Sequence, residues 1–404
     1  MKLVKTAIGL LALSGSCAMA GGIDRSGQSV AVLFEKGNYA EFSLGMVQPD
    51  VSGVGAGAAV TPVTPTPGQK SGDMAGDYVS FSGAYKHQFN DRISAAIIFD
   101  QPFGANVDYP AATTYYARGS TAELKSNALT GMVKYTLPSN VSLIGGLRYQ
   151  TLGATASVPF VGGYKANGET DSAVGYLIGA AFEKPEIALR VALTYNSRIK
   201  HSLATSETSA LGALTSGTPI TTPQSVNLEV QSGIAANTLL FGSVRWVEWS
   251  KFDISPTQYG TLTGGKSLVS YDSDTISYSL GLGRKFTEQW SGAVTLGYEA
   301  PTGGFASNLG PTDGYWSIGL GGSYTKDNMK ITAGLRYVSI GDADTTLGGQ
   351  CRCRQFQRQQ RHRCRDQGRL HLLIRELIAR ATSTGADPAW ARPFSIEPSP
   401  PVGH

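Results

Sequence analysis

The chain has 404 residues, 34 Lys+Arg against 30 Asp+Glu, a formal net charge of +4, only 16% charged residues and 50 glycines. Ordinary soluble domains carry about 25% charged residues and about 7% Gly, so this composition argues against a helical enzyme and against an acidic disordered chain. No apolar run reaches the ~18 residues of a membrane helix, which excludes a helical membrane protein and leaves several domains or one large all-β unit.

At the N-terminus, Lys2 and Lys5 form a positive region, Ala7 to Leu13 a short apolar region, and Ala18-Met19-Ala20 a small-residue cleavage site. This order predicts a signal peptide over residues 1–20 and a mature chain that begins at Gly21.

From Tyr39 onward the chain alternates apolar and polar residues between turns. Ile187, Leu189, Val191, Leu193 and Tyr195 share one face; Arg190, Thr194, Asn196 and Arg198 share the other. Ile276, Tyr278, Leu280 and Leu282 alternate with Ser277, Ser279, Gly281 and Gly283. Period two marks a strand with one apolar face. Thirteen such strands are predicted, at 39–48, 77–88, 92–102, 123–137, 141–158, 172–183, 187–206, 224–234, 238–252, 274–286, 290–299, 314–325 and 329–341.

Connections alternate between short, such as Phe89-Asn90-Asp91 and Pro138-Ser139-Asn140, and long, such as 49–76, 103–122 and 207–223. Long/short alternation with strands of ten or more residues is what a transmembrane antiparallel β-barrel requires, with its apolar face toward lipid. Tyr85, Tyr135, Trp246, Trp249, Trp290 and Trp316, near strand ends, suit the aromatic girdles of such a barrel. The barrel is assigned to residues 39–349, in the outer membrane of a Gram-negative cell, with outer-membrane lipid as its surroundings.

The last segment differs. Residues 350–404 hold ten Arg, no Lys and four acids, a net +6, and three of the four cysteines. Bacterial barrels have an even strand number, so a returning fourteenth strand is expected where this aperiodic tail begins. Read one base later, the codons of Gln350 to Leu373 can encode a loop and an alternating strand ending in Phe. The tail is therefore expected to be frameshifted and disordered, with its last strand lost. Nucleic-acid binding by the Arg run is not expected in a secreted chain. Zinc binding by Cys351, Cys353, Cys364 and His362 matches no standard paired spacing, and no cofactor is expected.

Several stretches between residues 21 and 346 carry a resemblance: Asn90-Asp91-Arg92 leading to Gln101-Pro102-Phe103-Gly104, the turn Phe182 to Arg190, Arg245 to Ser250, and Leu309 to Gly314. Together and in order, they resemble the long-chain fatty-acid outer-membrane transporter family, FadL with the aromatic-hydrocarbon transporters of the TodX type. The resemblance implies a barrel of about 14 strands closed by a hatch in the lumen, here short, at residues 21–38. It implies uptake of long-chain fatty acids or similar hydrophobic small molecules by loop capture, lumen binding and lateral release. The Asn-Pro-Ala element usual in the family's plug is replaced here by Glu35 to Tyr39.

Three strands place an Arg seven residues past their predicted starts: Arg148, Arg245 and Arg336. By parity these, and Arg190, point into the lumen. A cationic belt could hold a fatty-acid carboxylate, or it could pair with Glu41, Asp100, Glu229 or the hatch residues Asp24 and Glu35. No enzyme is indicated, because the body offers only His87 and His201 as candidate bases. The rival functions are a diffusion porin for small polar solutes and a structural or adhesive barrel. A monomer inserted by the barrel-assembly machinery is expected.

Overall fold

The computed structural model describes residues 23–55, 68–303, 305–307 and 309–345, with the backbone of 370–373 and 377–379. The predicted signal peptide and most of the Arg-rich tail lie outside the described residues.

Eighteen strands form one sheet. They are β1 (Tyr39–Val47), β2 (Tyr78–Gln88), β3 (Ile93–Asp100), β4 (Gly104–Asp108), β5 (Thr121–Thr136), β6 (Val141–Val158), β7 (Tyr164–Lys184), β8 (Leu189–Asn196), β9 (Ile199–Ser209), β10 (Gly212–Thr222), β11 (Ser225–Ala235), β12 (Thr238–Val247), β13 (Thr275–Lys285), β14 (Trp290–Glu299), β15 (Tyr315–Lys326), β16 (Met329–Ile340), β17 (Leu370–Leu373) and β18 (Leu377–Ala379).

Alternation decides which way each side chain points. On β6, Leu143, Leu147 and Tyr149 are exposed while Ser142, Ile144, Arg148 and Gln150 are buried. The same holds for Leu193, Leu280, Leu296 and Leu320, all exposed. Apolar outside and polar inside inverts a soluble sandwich, and fits hydrocarbon around the wall. Aromatic side chains end this apolar band. Tyr278, Tyr298 and Trp316 stand directly across from one another on β13, β14 and β15, and toward the short turns Trp290 packs on Tyr324 at 4.9 Å. Trp249 is the exception: it is fully buried. It follows the end of β12 in a 3-10 turn, Trp249–Lys251, so strand parity no longer governs it.

The short turns close as predicted. Asn140 (φ 62), Asn237 (φ 58) and Asp327 (φ 52) take the left-handed conformation that their short polar side chains tolerate best. The wall runs β1, β2, β3, β5, β6, β7, β8, β11, β12, β13, β14, β15, β16. The fourteenth position is taken by backbone from the tail. Leu370–Leu373 pairs with β16, and Leu377–Ala379 pairs with both β16 and Ala40–Phe42 of β1, closing the ring. The sequence reads this tail as lying outside the barrel. The difference has a physical reason: a lipid-exposed edge demands hydrogen-bond partners, and any extended backbone supplies them.

Three local expectations are corrected. The strand expected at 187–206 breaks after Asn196, and Ile199–Ser209 instead pairs with Gly212–Thr222 as a hairpin where a loop was expected. Its outward side chains are Lys200, Ser202, Ala204 and Ser206, without apolar bulk, so it stands beyond the lipid band. The strand at 92–102 stops at Asp100, because Pro102 cannot donate to a ladder, and resumes at Gly104.

The two sides of the lumen differ. Inward positions of β13 to β15 are mostly small, among them Ser277, Gly281, Ala293, Gly297, Ser317 and Gly319. On the opposite side, residues 30–39 pack Val30, Val32, Leu33 and Tyr39 against Ala96, Met132, Ile144, Leu177, Ala181 and Ala192. Leu33 is wholly buried. Truncating such a side chain to Ala costs about 2–5 kcal/mol.

Candidate functional site

A second apolar core fills the long-loop end, around Phe103, Tyr109, Leu152, Tyr164, Leu203, Trp249 and Phe252. Within it lies a small cavity of about 50 Å³, lined by Ile23, Leu124, Ala154, Leu203, Ile220, Phe252 and Leu268. Its walls come from the ends of β5 to β7, from the β9–β10 hairpin and from the segment after β12. A short helix, α1 (Thr257–Thr263), covers this end. The buried Glu207 carboxylate accepts the backbone N–H groups of Gln258 (2.9 Å) and Tyr259 (3.3 Å), and the Tyr164 hydroxyl (2.9 Å). Burial pushes the Tyr259 hydroxyl up to about 12, so it stays neutral.

Toward the lumen the lining turns polar. The Gln150 amide donates to Thr222 Oγ1 (3.3 Å) and faces His201 Nε2 (3.3 Å), and His201 Nδ1 faces Asp171 (3.1 Å). That network assigns the proton to Nδ1. Burial holds His201 below its ordinary pKa, partly opposed by Asp171.

The three Arg expected to form a belt, and Arg190, divide into separate settings. Arg245 Nε donates to Asp24 of the hatch at 2.6 Å; its other nitrogens reach Asn227 (2.6 Å), Ser225 (3.0 Å) and Gln28 (3.2 Å). Arg148 is buried, donates to Thr130 (3.0 Å), and lies near Asp100, Arg245 and Asp24. Arg190 and Lys134 both lie over the Phe34 ring of the hatch, each at 4.6 Å. Arg336 donates to Ser317 on the neighbouring strand (2.8 Å). Further hatch ties run from Ser29 to Glu229 (2.5 Å) and from Lys86 to the Glu35 carbonyl (2.5 Å).

The break between β3 and β4 makes a window in the wall. β2 pairs with β3 only as far as Gly83 opposite Phe99, and the chain next meets β4 at Ala75 opposite Val107. Between these limits the hatch backbone substitutes for a strand: Arg25 N–H donates to Pro102 O (2.8 Å), and Gly104 N–H donates to Ile23 O (2.9 Å). The Arg25 guanidinium fills the window, 3.8 Å above the Tyr78 ring. A Cβ on Gly104 would stand 2.5 Å from Arg25 Cζ, so a larger residue there would displace the guanidinium from the window. Sequence reasoning passed over Arg25. The available signal was Pro102, which interrupts an otherwise regular strand.

A closed sheet that is apolar outside, with a plugged lumen, an apolar cavity and a sealed window in its wall, defines an outer-membrane transport barrel. The chain belongs to the outer membrane protein transport protein family (OMPP1/FadL/TodX), whose model matches residues 6–347. Its fold is similar to that of a Pseudomonas aeruginosa FadL homologue (TM-score 0.63, 15% identity, 90% of this chain and 95% of that one). It is also similar to the toluene transporters TodX of Pseudomonas putida (TM-score 0.57, 12% identity, 90% and 96%) and TbuX of Ralstonia pickettii (TM-score 0.54, 11% identity, 87% and 92%). No curated protein is detectably similar in sequence. Members are Gram-negative outer-membrane transport channels for hydrophobic compounds, not enzymes.

Proposed function

We propose that the protein takes up long-chain fatty acids or similar hydrophobic compounds, by capture among the loops, retention in the apolar cavity and lateral release through the window between β2 and β4. The observation that carries this reading is the meeting of cavity and window. Ile23 and Ala105 line the cavity, and each neighbours a residue that seals the window. In this reading Arg245 and Arg190 anchor the hatch, while Arg148 and Arg336 remain candidates for a ligand carboxylate in the lumen. The chain works as a monomer inserted by the barrel-assembly machinery.

The test fills the cavity. Ala154→Phe in purified protein should lower oleate binding about tenfold or more (about 1.4 kcal/mol) without loss of the heat-dependent gel shift of a folded barrel. Unchanged binding would rule out the cavity as the holding site. The mostly small inward face of β13 to β15 favours a second reading, a diffusion porin for small polar solutes. Liposome swelling separates the two: rapid sugar flux supports the porin, and oleate binding without flux supports the carrier. A structural or adhesive barrel would give neither response.

A further inference from the structure

The Arg25 guanidinium is nine-tenths buried, with 9% of its surface exposed. Among the described residues its side chain donates no hydrogen bond and forms no ion pair, and its Nε is enclosed without a partner. A guanidinium has five N–H donors in a fixed fork. The Tyr78 ring meets the charge from one side, but the enclosed Nε–H is left without an acceptor, which is costly because water is lost and nothing replaces it. The carboxylate whose charge reaches it is Glu123, and Lys125 already holds Glu123 at 2.7 Å. Arg245, by contrast, is held by Asp24; Arg190 shares the enclosed, unpartnered Nε but lies over the Phe34 ring inside the lumen, away from the window.

The position of this cation gives it a use. Gly104 stands opposite Lys125, on the face of β4 turned from the cavity, while Tyr78 belongs to the buried face of β2. Arg25 lies between these two faces, in the opening itself. Ile23, two residues earlier, and Ala105, next to Gly104, line the apolar cavity. A molecule with an apolar body in the cavity and one end at the window would therefore bring that end to Arg25. A carboxylate there accepts bidentate, charge-assisted hydrogen bonds. A neutral hydrocarbon would leave the enclosed Nε–H unmet.

We propose that Arg25 binds the carboxylate of an anionic amphiphile at the window, so that the exit selects fatty-acid-like molecules over neutral hydrocarbons. The proposal rests on the carrier reading above and names its substrate class.

The full chain in non-ionic detergent at pH 8 is titrated with oleate and with oleyl alcohol, which share a chain and differ in charge. Oleate should bind at least about tenfold more tightly than the alcohol. Arg25→Met should bring oleate down to the alcohol's affinity and leave the alcohol unchanged. Arg25→Lys, which keeps the charge but loses the fork, should retain a few-fold preference. Equal affinities in the unaltered protein, or a preference that survives Arg25→Met, would overturn the role of Arg25 while leaving the carrier reading intact. Failure of both ligands to bind the unaltered protein would overturn the carrier reading and this proposal with it. If Arg25→Met does not fold, the acid/alcohol ratio in the unaltered protein and its change in Arg25→Lys decide: an identical ratio in both overturns the proposal.

Discussion

Arg245 serves four acceptors at once, two on its own wall and two on the hatch. Replacing it with Ala would leave Asp24 buried without its cation, and breaking a buried pair costs roughly 3–5 kcal/mol. The expected outcome is a loosened hatch, seen as raised ion conductance of Arg245→Ala in planar bilayers; conductance equal to the unaltered protein would contradict the anchoring role. His201 gives a pH dependence. Its pKa in the folded hairpin lies below the ordinary ~6.5, so the unfolded form binds its proton first. Its stabilising contribution is present above about pH 6.5 and is lost as pH falls from there toward the folded value. Amide exchange across 199–222, corrected for intrinsic rates, should accelerate at pH 5 relative to pH 7.5. His201→Gln should flatten that response.

Among elements, α1 depends most on a neighbour. Seven residues are too few for a stable helix in water, and Glu207 supplies the acceptor for its first N–H groups. Glu207→Ala should expose those donors at a cost of roughly 1–3 kcal/mol, read as faster amide exchange confined to 257–263; unchanged exchange would mean that packing alone holds the helix. The strands and their turns were legible in the sequence because period two and the residues at Asn140, Asn237 and Asp327 are local signals. Of the β9–β10 hairpin, residues 199–206 were read as the end of the preceding strand and 207–223 as a loop, because the outward side chains of this hairpin lack the apolar bulk that marks a lipid-facing strand. The four inward Arg were legible by parity. Asp24 stood among their candidate partners, and it meets Arg245; which Arg it meets, and the approach of Phe34 to Arg190, depend on contacts across the lumen that no local pattern encodes. The window escaped notice for the same reason: Pro102 marks a break, but only the returning hatch shows what fills it.

At the scale of the whole molecule, closure depends on seven tail residues that lend backbone to a position the wall requires. Ending the chain at residue 349 should leave Met329–Tyr337 and Ala40–Phe42 without those partners. The expected result is loss of resistance to SDS at room temperature on a gel, and a truncated chain that kept full resistance would show that the tail does not close the barrel. Replacing the tail by the alternating strand of the shifted reading frame should raise the unfolding temperature, and sequencing the coding DNA would test the frameshift directly. The Asp24–Arg245 pair has a further consequence, one of timing. Its partners lie 221 positions apart, and contacts of such separation form late because a long loop must close first. The hatch packs on β3 to β8, yet its Asp24 cannot be tied down until β12 is in place. During assembly the hatch must therefore pass through a stage in which it is packed on the first half of the wall but not yet locked to the second.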